Sequence, residues 1–116
     1  MDLEVSYDIT YLEKISNQDK DFIKEMLETF VINTPVYFND IEKYYQEKNF
    51  ELLYKAVHKF IPTLAFVCAK KNIDRFEELE RLALTKADNK ELHDLIVKLK
   101  IFCSQLVEQI KIDFKL

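Results

Sequence analysis

The sequence predicts an all-α fold: an antiparallel up-and-down four-helix bundle with a short additional N-terminal helix, in a single domain spanning residues 1–116. Three observations carry this. The chain has no glycine and only two prolines, whereas tight hairpin turns and bulges lean on glycine. Apolar residues recur at three- and four-residue spacing over long segments, the period of a helix with one buried face. The breaks between those segments are short and polar, which favours antiparallel neighbours.

The elements follow in order. Asp8 is positioned to cap a short first helix running to about Ser16. Asn17-Gln18-Asp19 is a polar break, and Asp19 can cap a long second helix whose buried face reads as Phe22, Met26, Phe30, Tyr37, Ile41 and Tyr44 or Tyr45. Pro35, preceded by Thr34, removes a backbone donor inside that helix, so a kink or local break is expected there. After Lys48-Asn49 a third helix is expected from about Phe50 to Ala69, kinked again at Pro62. Lys70-Lys71-Asn72 reads as the next break, before a short fourth helix from about Ile73 to Thr85. Ala87-Asp88-Asn89 leads into a long last helix that buries Leu92, Ile96, Leu99, Cys103, Leu106 and Ile110.

Composition excludes several functions. Hydrophobic residues at 48% and charged residues at 33% are the balance of a globular domain rather than a disordered chain. A net charge of −4 opposes a nucleic-acid partner, which calls for a basic footprint. No stretch reaches the roughly 18 uncharged apolar residues of a membrane span. The start, Met1-Asp2-Leu3-Glu4, is acidic where a signal peptide is basic and then apolar, so a cytoplasmic protein is expected. Cys68 and Cys103 lie in apolar stretches without CxxC spacing and read as buried free thiols, not as a disulfide or metal ligands. No metal site is expected, because two histidines and two cysteines on different helix faces lack paired ligand spacing. A Cys-His hydrolase is not supported either.

The third helix is where chemistry is expected. At about 100° per residue, Leu53, Ala56, Val57, Leu64 and Val67 fall within about 60° of Phe60, with Cys68 just outside at about 80°. His58 lands at about 160°, facing away from the core. Glu51, Tyr54 and Lys55 share that outer face on one side of it, and Ile61, Pro62, Ala65 and Ala69 on the other. A solvated face would carry lysine, glutamate and glutamine. This one turns small and apolar, as a contact site does, and small side chains let a partner approach the imidazole. Taken alone, the pattern is more often that of an inert surface histidine whose apolar neighbours pack against the N-terminal helix.

The residues around His58 resemble the histidine-containing phosphotransfer (HPt) family of bacterial two-component phosphorelays. Ala56-Val57-His58-Lys59-Phe60-Ile61-Pro62-Thr63 and, later, Cys68-Ala69 are similar to that family's signature. The signature runs alanine, any residue, histidine, lysine, apolar, lysine, small or proline, serine or threonine, and then glycine-alanine. Tyr11 to Ser16, Asp19, and Phe22 to Phe30 are similar to its first two helices, Pro35 falls where many members carry a proline, and Leu79-Glu80 matches a leucine-glutamate pair of the fourth helix. The similarity spans about residues 7 to 113.

What the resemblance implies is a phosphorelay carrier and not an enzyme in its own right. His58 would accept a phosphoryl group on Nε2 from a receiver-domain aspartate and pass it to another receiver. Glu80 would orient the imidazole through Nδ1, and, with isoleucine at position 61 where the family's contact lysine is usual, Lys55 or Lys59 would stand in at the phosphoryl group. Tyr54, Ile61, Pro62, Ala65 and Ala69 would form the docking patch. The partners would be response-regulator receiver domains or a hybrid histidine kinase, with Mg²⁺ on the receiver and no cofactor on this chain, itself expected to be a monomer. Two positions depart from the family: Ile61 stands where a lysine is usual, and Cys68 replaces the glycine. They leave open an alternative, a non-phosphorylated HPt-like adaptor that docks receiver domains, and beyond it a bundle of unrelated function. His93, at the start of the last helix, reads as a surface residue.

Overall fold

The computed structural model describes residues 6–116, so the acidic start Met1-Asp2-Leu3-Glu4 lies outside the described residues. Five helices occur among them: α1 (Thr10–Ile15), α2 (Lys20–Gln46), α3 (Phe50–Leu64), α4 (Lys70–Leu84) and α5 (Lys90–Phe114). No strand occurs among the described residues. At 1.5 Å per residue α2 is about 40 Å long, and the molecule measures 44 × 25 × 23 Å, so the longest helix sets the long dimension. α3 packs against α2 and α4, and α5 packs against α2 and α4. No helix among the described residues is long and apolar enough to cross a membrane.

Local chemistry starts three of the helices. The Asp19 carboxylate accepts from the backbone N–H of Asp21 and Phe22, and the side chains of Asn49 and Asn89 accept from Leu52 and Leu92. These bonds satisfy donors that a helix N-terminus leaves unpaired. α1 differs from expectation. Its cap position is Ile9, and Asp8 sits one residue earlier, accepting from the N–H of Thr10 at 3.0 Å. In a chain without glycine the turns fall on other residues. Asn17, Gln18, Lys48, Lys86 and Lys115 all adopt positive φ, a conformation that a Cβ makes costly.

The core runs through α2, α3, α4 and α5, with Phe60, Phe76 and Phe102 fully or almost fully buried. Phe76 meets Phe60 edge-on at 5.7 Å and Phe102 at 6.2 Å. Burying each ring contributes about 2–3 kcal/mol. The expected stripe of α5 is buried in full. That of α2 is corrected: only Phe30 and Ile41 of the expected set are buried, alongside Ile23, Leu27, Thr34 and Phe38, while Phe22 is 40% exposed. α2 faces both α3 and α5, so its apolar arc is wide. Met26, Tyr37, Tyr44 and Tyr45 form the edge of that arc, partly buried against the core.

Neither proline breaks its helix. α2 continues through Pro35 and α3 through Pro62, and the buried Thr34 hydroxyl donates to the Phe30 carbonyl at 2.6 Å. α3 stops at Leu64, not at Ala69, and α4 begins at Lys70, so Lys70-Lys71-Asn72 form its first turn and are not a break. The real break is residues 65–69. Its backbone closes through Val67 N–H to Leu64 O and Cys68 N–H to Leu64 O, and the N-terminal segment joins it through Asp8 N–H to Val67 O at 2.7 Å. With Val67 and Cys68 buried and Tyr11 against Phe66 at 5.7 Å, this turn is held by packing. Tyr7 ties the same segment to the end of α5, donating to Asp113 at 2.7 Å.

Candidate functional site

Four buried side chains, Leu53, Val57, Phe60 and Leu64, fix the rotation of α3. Phe60 is gripped from two sides, stacked with Tyr37 of α2 at 4.9 Å and edge-on to Phe76 of α4. With Val57 and Phe60 inward, His58 is turned out, and its side chain is 68% exposed. On α4, buried Phe76, Leu79 and Ala83 set the rotation that brings Glu80 to the seam with α3. Its side chain is only 20% exposed.

The two meet. His58 Nδ1 lies 2.7 Å from Glu80 Oε2. An ionised carboxylate only accepts hydrogen bonds, so Nδ1 is the donor and the neutral ring keeps its lone pair on Nε2. Among the described residues nothing hydrogen-bonds Nε2. A second contact comes from one turn back along α3, where the Tyr54 ring stacks on the imidazole with centroids 5.7 Å apart and planes within 16°. Tyr54 is itself partly buried against the core. Tyr54 is expected on this face, and the stack follows from its place four residues before the histidine, the spacing at which helical side chains meet.

The other expected site residues spread out. Lys55 pairs with Glu51 at 3.3 Å, and the Lys59 ammonium lies 6.0 Å from the Tyr37 ring centroid. Both lysines are thus drawn to other partners than the imidazole. Ile61 is half-buried against the core, while Pro62 and Ala65 are exposed. Ala65 closes the end of α3 and half-buried Ala69 precedes α4, so the expected single helical face is instead a helix end and the turn that follows.

Other reactive groups do not join this site. Burial pushes the Cys68 thiol up to about 12 and also raises that of Cys103, where Cys68 adds a smaller effect. Both thiols stay protonated near neutral pH and are poor nucleophiles. His93 is exposed, tilted against Tyr45 at 6.0 Å, with Asp94 at 3.5 Å from Nδ1. Among the described residues no group of three His, Cys, Asp or Glu could hold a metal ion. A groove of about 260 Å³ between α2 and α5 is lined by Pro35, Phe38, Cys103 and Val107 among others, and includes none of these site residues.

The chain matches no protein-family model, no curated protein and no solved structure. Its functional reading therefore rests on the residues themselves.

Proposed function

We propose that this chain is a phosphocarrier of the histidine-phosphotransfer type, folded as an antiparallel up-and-down four-helix bundle, with His58 as the phosphoacceptor. One observation carries the reading: an exposed imidazole has Nδ1 held by a mostly buried carboxylate, which leaves Nε2 as the nucleophile.

In the proposed step the Nε2 lone pair attacks the phosphorus of a receiver's phospho-aspartate. The P–O bond to the aspartate breaks and its electrons return to the carboxylate. The imidazole keeps its Nδ1 proton, so the ring becomes an N-phosphorylated imidazolium beside the Glu80 carboxylate. Transfer to a second receiver runs the same step backwards. In-line positioning does most of the work, and the receiver brings the Mg²⁺ and the acidic pocket. The exposed Pro62 and Ala65 beside half-buried Tyr54 and Ile61 supply apolar surface for docking at the C-terminal end of α3.

A second reading, a receiver-docking adaptor that is not phosphorylated, is favoured by one feature: position 61 is isoleucine, and Lys55 and Lys59 are engaged by Glu51 and Tyr37. Incubation with aspartyl-phosphorylated receivers separates the two. The carrier gives an acid-labile, base-stable adduct that His58→Gln abolishes and His93→Gln keeps. Labelling that persists in His58→Gln overturns the assignment, and receiver binding without any adduct establishes the adaptor.

A further inference from the structure

Resting on the carrier reading, we infer that Tyr54 is a positioning residue for the phosphorylated state, its ring stabilising the cationic imidazole that forms when Nε2 takes up a phosphoryl group. The contact is a near-parallel stack, 5.7 Å between centroids and 16° between planes. Such offset stacking is a favoured arrangement for two rings. Phosphorylation at Nε2 with Nδ1 still protonated puts positive charge into the imidazole, and a tyrosine face within about 6 Å attracts a cation. The stack is therefore stronger after phosphorylation than before, and it acts on the state and not only on the fold.

The surroundings make this contact matter. Lys55 is paired with Glu51, Lys59 lies by Tyr37, and Ile61 has no charge to offer the phosphoryl oxygens. Glu80 meets the imidazole at Nδ1 and Tyr54 covers its ring face. Glu80 fixes the ring's in-plane direction and Tyr54 fixes its tilt. Tyr54 is partly buried against the core, so its ring is anchored before the phosphoryl group arrives. In this chain an aromatic face takes over part of the stabilisation that a lysine would give.

The test uses phosphoramidate, a small donor that needs no docking surface. Nε2 attacks its phosphorus, the P–N bond of the donor breaks, and ammonia leaves with the donor's own protons. The lifetime of the isolated phosphoprotein is followed by ³¹P NMR at a pH low enough for Nδ1 to stay protonated, where P–N cleavage removes the ring's positive charge, together with the His58 ring-proton shifts. Tyr54→Leu is expected to shorten the lifetime roughly two- to fivefold and to move the His58 ring protons downfield as the ring current is lost. Tyr54→Phe, which keeps the face, is expected to restore both. Equal lifetimes in wild type and Tyr54→Leu, with both folded and phosphorylated, overturn the inference alone. Absence of any phospho-His58 in the wild type overturns the carrier reading and the inference with it. Should Tyr54→Leu unfold, a polyfluorinated phenylalanine at position 54 keeps the shape while weakening the negative face, and an unchanged lifetime there overturns the inference equally.

Discussion

Glu80 of α4 reaches across the helix seam to within 2.7 Å of His58 Nδ1, twenty-two residues away in sequence. An ionised Glu80 carboxylate can only accept from Nδ1, which in a neutral ring favours the tautomer with its lone pair on Nε2. The carboxylate is mostly shielded and the imidazole mostly exposed, so the partner of Nδ1 is protected while the ring stays reachable. The arrangement suits a group that another protein's active site must approach.

Removing that carboxylate should slow loading of His58. For a pair with one exposed partner the contact is worth up to about 1 kcal/mol, which is roughly fivefold in rate. Glu80→Ala is expected to show this loss with a phosphorylated receiver, and Glu80→Gln, which keeps an acceptor oxygen, less of it. Stopped-flow transfer kinetics measure both, and an unchanged rate in Glu80→Ala would remove Glu80 from the mechanism.

Ile61→Lys tests the missing charge. A lysine near the phosphoryl oxygens makes a charge-assisted contact, worth about 0.5–1 kcal/mol at a partly exposed position. The phosphorylated fraction at equilibrium with a given receiver should then rise roughly two- to fivefold. Because Ile61 is half-buried against the core, the thermal midpoint of the variant must be measured alongside. No movement in the equilibrium means that the phosphoryl group points away from residue 61.

Docking is tested at Ala65, exposed at the end of α3. Ala65→Glu should weaken binding of a cognate receiver, seen by calorimetry, and change folding stability by less than about 0.5 kcal/mol. Unchanged affinity would move the docking surface elsewhere.

Lys86 holds φ at 56° in the turn after α4, where a side chain is a burden. Glycine adopts this conformation without the Cβ clash, at some cost in unfolded-state entropy. Lys86→Gly is expected to raise stability by about 0.5–1 kcal/mol in urea unfolding. Lys48→Gly should gain less or lose outright, because Lys48 pairs with Asp88 and lies over the Tyr45 ring. A destabilised Lys86→Gly would show that the turn carries no such strain.

The sequence by itself determined the all-helical class, the cap at Asp19, the breaks at Lys48-Asn49 and Ala87-Asp88-Asn89, the buried stripe of α5 and the outward direction of His58. Each of these depends on residues within about two turns of one another, where spacing and side-chain chemistry act directly. Only the tertiary structure decided the rest. α2 carries apolar residues around a wide arc, and its burial against both α3 and α5 selected Ile23, Leu27 and Phe38 over Phe22. α3 ends at Leu64 because the turn 65–69 is held by the burial of Val67 and Cys68 and by Asp8 from the far end of the chain, not by a local stop signal. The hydrogen bond from His58 to Glu80 depends on how α3 and α4 are rotated against each other. The aromatic contacts of Phe60 and Phe76 set that rotation, and it is a property of packing that no single segment encodes.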